Sequence, residues 1–151
     1  MPYKCFQCVI LFFITFSTSV FASEDFYLPP VTPEASGNLI TIKGSNTLGA
    51  KLVPTWAKKY LELKGVSHVR IEAGAKENEY KILGLNGDLP VNIQVHAHGS
   101  GTGFKSLLER SAQIAISSRP IKSSENTLVD ANVDLRSFET EHVVALDGLA
   151  I

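Results

Sequence analysis

The chain has 151 residues and a formal net charge of −1, with 14 basic and 15 acidic side chains. This length holds one domain of ordinary size, and 44% apolar residues are enough to build a packed core. Because the charges form neither a basic stripe nor an acidic block, no nucleic-acid partner is expected.

The first 22 residues are typical of a secretory signal peptide. Lys4 precedes an apolar run from Cys8 to Phe21, and Ala22 closes a stretch suited to signal peptidase. We expect cleavage after Ala22 and a location in the periplasm or cell envelope; the alternative is a retained membrane anchor. The chain's two cysteines, Cys5 and Cys8, both lie inside this peptide, so no disulfide is expected in the remainder.

Strand and helix patterns alternate after a predicted linker over residues 23–38, which prolines and Gly37 keep irregular. Predicted strands cover residues 39–43, 69–73, 79–83, 91–95, 114–116 and 138–146. Predicted helices follow the first, fourth and fifth of these strands, the last of them running from Ser123 or Ser124 to about Ala131. This alternation predicts a layered α/β domain over residues 39–151.

Several local features are expected inside this domain. In the first helix, Trp56 is predicted to pack in the core, Pro54 to kink the helix and Gly65 to end it. Asn86-Gly87 predicts a turn between two strands. The segment 77–79 is interpreted as a solvated turn, or as a polar contact in a cleft.

Three short loops of small and hydroxyl-bearing residues each follow an apolar run. They span residues 44–47, 99–103 and 117–120. In open α/β sheets, ligands bind beyond the carboxyl ends of strands, and the free N–H groups of a helix N-terminus favour an anion. Arg119 adds a charged donor, although it could equally be a surface or ion-paired arginine. Together the loops predict a site for a compact oxyanion.

Other chemistries fit these residues less well. The Gly-Ser-Gly-Thr-Gly loop at 99–103 lacks the glycine spacing of a dinucleotide site and the lysine of a P-loop. Ser100 does not stand in a Gly-x-Ser-x-Gly elbow, because Thr102 occupies the last position. His96 and His98, predicted on one strand face, could bind a metal, but without a cysteine or nearby carboxylates we interpret them as structural. No metal and no cofactor are expected.

Four segments, in order, resemble the phosphate-binding proteins of ABC transporters, members of the type II periplasmic binding protein superfamily. They are Gly-Ser-Asn-Thr at 44–47, Gly-Ser-Gly-Thr-Gly-Phe-Lys-Ser-Leu at 99–107, Ile-Ala-Ile-Ser-Ser-Arg-Pro-Ile-Lys at 114–122 and Val-Ala-Leu-Asp-Gly-Leu-Ala-Ile at 144–151. The resemblance implies a partial fold, mostly the first lobe, with a central mixed sheet flanked by helices. It also implies a longer product, in a branch whose members often carry an OmpA-like domain that associates with peptidoglycan.

The same resemblance assigns candidate ligand-binding residues to each loop. These are Ser45 and Thr47 in the first, Ser100, Gly101 and Thr102 in the second, and Ser118 and Arg119 in the third. Ser118 stands where well-studied members place an aspartate that accepts a phosphate proton.

The function implied is that of a non-enzymatic, exported binding protein. It would deliver phosphate or a related oxyanion to an ABC permease, or retain it in the envelope. Two alternatives stay open: a phosphatase or esterase on the same fold, and an envelope interaction module that binds no anion.

Overall fold

The computed structural model describes residues 32, 35–126, 134–144 and 146. The predicted signal peptide, most of the predicted linker and residues 147–151 lie outside this part of the chain. The described elements, in chain order, are β1 (Gly37–Gly44), α1 (Asn46–Gly49), α2 (Leu52–Leu63), β2 (Ser67–Ala73), β3 (Glu79–Asn86), β4 (Leu89–His96), α3 (Ser100–Leu108), β5 (Ile114–Ile116) and α4 (Ser123–Asn126).

The strands form an open, mixed, five-stranded sheet with the order β2-β3-β4-β1-β5. The β4-β1-β5 part is parallel, whereas β3 pairs antiparallel with both β2 and β4. The predicted α/β class is therefore confirmed. Because β1, β4 and β5 are parallel, their carboxyl ends meet at one edge of the sheet, and all three predicted loops begin there.

Helices cover both faces of the sheet. On one face, α2 buries Val53, Ala57 and Leu61 in a cluster with apolar residues of β1, β3 and β4. On the other face, α3 lies over β1 and β5, where a side chain on Gly103 would meet Ala115. Every fully buried large aliphatic side chain of the described residues lies on the α2 face: Leu61, Ile82, Val91, Ile93 and Val95.

The first predicted helix is divided into α1 and α2. Pro54 causes no kink, because it stands in the first turn of α2, where a helix needs no N–H donor. The prediction that Trp56 packs in the core is wrong: its side chain is 46% exposed. The interruption between α1 and α2 turns Val53, Ala57 and Leu61 toward the sheet instead. Gly65 follows the helix end with φ +83°, as expected.

The predicted turn at Asn86-Gly87 connects β3 to β4, with Gly87 at φ +60°. This positive φ favours glycine, as in other tight hairpins. The helix predicted from Ser123 or Ser124 begins at Ser123, and its predicted continuation after Asn126 lies outside the described residues.

The predicted strand over residues 138–146 is wrong within the described residues. The amides of Thr140 and Glu141 both donate to the Ser137 carbonyl, so the chain turns where the strand should begin. Residues 141–144 and 146 then pair with no strand. Their apolar side chains stay in solvent, with Val143 74% and Leu146 92% exposed.

None of the described helices has the length and apolar character needed to cross a bilayer.

Candidate functional site

The first loop is tied to the other two through its backbone. The Ser45 amide donates to the Ile116 carbonyl at 2.8 Å, and the Gly99 amide donates to the Gly44 carbonyl at 2.7 Å. Gly44 has φ +139°, and a Cβ there would collide with the Ile116 carbonyl oxygen. Glycine is therefore required for the three loops to lie this close together.

The second loop becomes the N-terminus of α3. Gly99 occupies the N-cap position with φ +109°. Its carbonyl accepts the Thr102 amide at 3.0 Å and the Thr102 hydroxyl at 2.7 Å. The amides of Ser100 and Gly101 have no acceptor within the described residues. These two N–H groups, together with the helix dipole, can bind an anion.

The third loop contacts the second through two serines. The Ser118 amide donates to Ser100 Oγ at 3.2 Å, and the two hydroxyl oxygens lie 3.4 Å apart. Ser117 stabilises the turn itself, because its hydroxyl donates to the Arg119 carbonyl and accepts the Arg119 amide. The hydroxyls of Ser100 and Ser118 are thus placed beside the free amides of α3.

Arg119 is an ion-paired arginine. Its Nη1 and Nη2 donate to the two carboxylate oxygens of Glu125 at 2.8 and 2.6 Å, and its guanidinium carbon lies 5.5 Å from the centre of the Phe104 ring. The hydrogen bond from Arg119, with a second from the Lys122 amide, lowers the pKa of Glu125 to about 2. The hydrogen bond to Glu125 raises the pKa of Arg119 in turn. The charge of Arg119 is therefore already compensated.

The Arg119–Glu125 pair lies beside the start of α3. A Cβ on Gly101 would be 3.9 Å from Arg119 Nη2 and 3.7 Å from Glu125 Oε1. Sequence reasoning missed Glu125 as Arg119's partner. Its position, three residues after Lys122 at a helix start, is the signal that could have found it, because a glutamate there reaches back to the N-cap amide.

The predicted site residues do not all converge. Ser100, Gly101, Ser118 and Arg119 lie together at the N-terminus of α3. Ser45 is adjacent through its backbone but only 1% exposed. Thr47 lies exposed on α1, and no hydrogen bond joins its side chain to the other loops in the described part of the chain. The amide and the hydroxyl of Thr102 both donate to the Gly99 carbonyl, so Thr102 forms part of the helix start and does not direct its hydroxyl proton to an anion.

A second polar cluster lies at the same edge of the sheet. Glu79 begins β3 and faces His96 at the end of β4; its Oε1 is 3.3 Å from His96 Nδ1 and 3.4 Å from His98 Nε2. The expectation that no carboxylate lies near the two histidines is wrong, since antiparallel pairing brings Glu79 to His96. His98 lies beyond the strand. Among the described residues, no three such side chains are arranged to hold a metal ion.

Burial tends to raise the pKa of Glu79, because its side chain is only 12% exposed. Hydrogen bonds from His96 and the Lys76 amide, with the charges of both histidines, reverse this effect and bring the pKa below its ordinary value. Glu79 is therefore an ionised anchor for the loop before α3. Neither histidine is hydrogen-bonded to Ser100 Oγ, whose partners among the described residues belong to Ser118.

An α/β sheet of this kind supports many unrelated functions, so the fold by itself assigns none. No protein-family model, curated protein or solved structure matches the chain. The residues at the carboxyl edge of β1, β4 and β5 are therefore the basis for a functional proposal.

Proposed function

We propose that this chain binds a small oxyanion, inorganic phosphate or a close relative, at the N-terminus of α3. The supporting observation is the meeting of the second and third loops. The Ser118 amide bonds to Ser100 Oγ, next to the two free amides of Ser100 and Gly101. Amides at a helix start and neighbouring hydroxyls are donors suited to a phosphate group.

Neutral donors carry most of this binding. Arg119 is close enough to Gly101 to approach a bound anion, but Glu125 holds both of its terminal nitrogens. Since the pair has no net charge, the main attraction comes from N–H and O–H groups and the dipole of α3. Arg119 then positions Glu125 and the third loop, and contributes less than a free arginine would.

We further propose that the chain is the first lobe of a type II periplasmic binding protein, exported to the cell envelope. The resemblance of its loop segments to phosphate-binding proteins supports this, and the position of those loops at the carboxyl ends of parallel strands agrees with it. Its role would be to deliver the oxyanion to an ABC permease or to retain it in the envelope. No covalent step is required.

Calorimetric titration of the full chain with phosphate, arsenate and sulfate tests the proposal. Ser118→Ala removes one hydroxyl that would bond to the anion, so the affinity should fall about tenfold to a hundredfold. Ser67→Ala is a matched control, because the Ser67 hydroxyl bonds to the Leu85 carbonyl on the distant strand pair. If the unmodified chain binds none of the three anions, the proposal is wrong; turnover of a phosphate ester would indicate an enzyme instead.

A further inference from the structure

Helix α2 has a second stripe, three apolar residues and one lysine, besides the one that it buries. Four residues at spacings of four, three and four are neighbours on the helix surface, and we call them the α2 stripe: Leu52, Trp56, Lys59 and Leu63. The Trp56 side chain is 46% exposed, and that of Leu63 is 75% exposed. Val53, Ala57 and Leu61 form the core contact, so this α2 stripe is available to a partner without any change in the fold.

Positive charge is concentrated on the same helix. Residues 51–64 contain four lysines and one glutamate, a net charge of +3, whereas the whole chain has a net charge of −1. Glu62, which that sum already includes, lies 3.7 Å from Lys59 and 3.9 Å from Lys58 in exposed contacts. Lys64 extends over the Tyr60 ring, with its Nζ 5.9 Å from the ring centre.

We propose that the α2 stripe docks on the surface of a membrane that contains anionic lipids. An exposed tryptophan and leucine can enter the headgroup region, while lysines beside them attract anionic headgroups. The position of Lys59 within the stripe favours this partner over an apolar protein groove. In such a groove its ammonium group would lose its water and keep only the 3.7 Å contact with Glu62, whereas at headgroup depth it meets phosphates.

The surface is separate from the candidate anion site. The α2 stripe lies on the helix that covers one face of the sheet, whereas the anion site lies at the start of α3, which packs on the other face. Lipid docking and oxyanion binding can therefore succeed or fail independently.

Trp56 is the only tryptophan of the chain, so its fluorescence reports directly on the α2 stripe. The chain from residue 23 onward, the form expected after cleavage, is mixed with vesicles of phosphatidylglycerol and phosphatidylcholine, and with vesicles of phosphatidylcholine alone, because the apolar run of residues 8–21 would itself enter lipid. We expect a blue shift and co-sedimentation with the anionic vesicles. Both should weaken as salt rises, because the Debye length falls from about 10 Å at 0.1 M to about 3 Å at 1 M.

Charge reversal provides the matched test. Each lysine near an anionic surface contributes about fivefold in partitioning, so Lys59→Glu with Lys64→Glu should reduce partitioning at least about 25-fold. Lys76→Glu with Lys81→Glu makes the same charge change outside α2 and should reduce partitioning to the vesicles far less. Leu63→Ala keeps the fluorophore and should weaken partitioning on the order of tenfold. Circular dichroism verifies that each variant is folded.

Four results would overturn the proposal. Equal binding to both kinds of vesicle, or unchanged binding of the Lys59→Glu, Lys64→Glu variant, would mean that another part of the chain drives association. A blue shift that grows with protein concentration in the absence of lipid would identify a second copy of the chain as the partner. Co-sedimentation without any change in Trp56 fluorescence would remove the α2 stripe from the contact.

Discussion

Gly101 and Gly103 stand two residues apart in α3, but a side chain at each would meet different surroundings. A Cβ on Gly101 has only ordinary contacts with Arg119 and Glu125, at 3.7 Å or more. A Cβ on Gly103 would lie 2.7 Å from the backbone oxygen of Lys43, which cannot move aside without displacing β1.

Alanine at these two positions should therefore have opposite effects. Gly101→Ala should keep or raise the free energy of unfolding, by up to about 1 kcal/mol, yet weaken oxyanion binding because the methyl group occupies the proposed site. Gly103→Ala should lower the free energy of unfolding by about 1–3 kcal/mol through overpacking. Urea denaturation and calorimetric titration measure the two effects. Unchanged phosphate affinity in a folded Gly101→Ala variant would place the anion elsewhere.

The pairing of Arg119 with Glu125 predicts a non-additive effect on anion affinity. Arg119→Ala leaves a carboxylate without its partner beside Gly101, and its repulsion adds to the lost donor, so affinity should fall about tenfold to a hundredfold. Arg119→Ala with Glu125→Gln removes that repulsion and should recover much of the loss. The titrations of both variants decide the matter; a double variant that binds no better than the single one contradicts this account.

Glu125 should also make stability depend on pH. Its pKa is about 2 in the folded chain and about 4.3 when unfolded. The unfolded state therefore binds the proton first as the pH falls. The stabilisation is fully present above about pH 4.5 and is lost as the pH falls through about 2.

Urea denaturation at pH 7, 4 and 3 should show a smaller loss of stability for Glu125→Gln than for the unmodified chain. Glu109→Gln is the control, since Glu109 meets Lys105 only in an exposed contact at 3.6 Å. Parallel pH profiles for Glu125→Gln and the unmodified chain would mean that the ion pair contributes nothing.

At the scale of elements, the sequence contains enough to predict the parallel part of the sheet. β1 and β5 are short apolar runs that end at Gly44 and just before Ser117, and β4 alternates apolar and polar residues up to the glycine-rich loop that begins at Gly99, so their type and approximate ends are visible in the pattern. Because those ends carry the loops, the edge where a ligand would bind could be predicted as well. The contact between Ser118 and Ser100 could not be predicted, since it depends on how the second and third loops pack against each other across the fold.

Two elements differ from their predictions for physical reasons. Leu52, Trp56 and Leu63 have the same apolar character as the buried residues of α2, and only the tertiary packing selects which stripe faces the sheet. Residues 138–146 are rich in β-branched residues, but a strand needs a neighbour, and the turn at Ser137 takes the segment away from one. The histidine partners of Glu79 could not be predicted, because pairing of β3 with β4 brings them together, whereas the local position of Glu125 was a signal that went unused.

Leu61 and Leu63 provide a direct test of which face of α2 is buried. Leu61 is fully buried, whereas Leu63 is 75% exposed. Leu61→Ala should lower the free energy of unfolding by about 2–5 kcal/mol, and Leu63→Ala should change it by less than about 0.5 kcal/mol. Urea denaturation of the two variants is the measurement. Equal losses would mean that α2 is rotated from the orientation described.

At the scale of the whole molecule, exposed apolar residues are concentrated around the later part of the described chain. Phe138 is 88% exposed, Val143 74% and Leu146 92%. In addition, β5 is an edge strand, with no partner on its outer side among the described strands. Exposed apolar segments and open edges both promote contacts between chains.

We therefore expect the isolated chain to self-associate reversibly at micromolar concentrations. Val143→Lys with Leu146→Lys adds charge to exposed positions and should shift the sedimentation profile toward the monomer without loss of fold. Leu89→Lys with Leu108→Lys adds the same charge at exposed apolar positions elsewhere and is the comparison. A chain that sediments as a monomer across the whole concentration range would show that these residues do not drive association.

The interior position of β1, between β4 and β5, also has a consequence for the order in which the chain can fold. β1 is the earliest described strand to be synthesised, but its partners are β4 and β5, which come much later in the chain. β2, β3 and β4 are joined by local antiparallel pairing and can form as each strand appears. Distant parallel pairing closes long loops and is slow. We therefore expect β1 to stay unpaired until β4 has been made, and β5, the last strand in the chain, to complete the sheet at the free edge of β1.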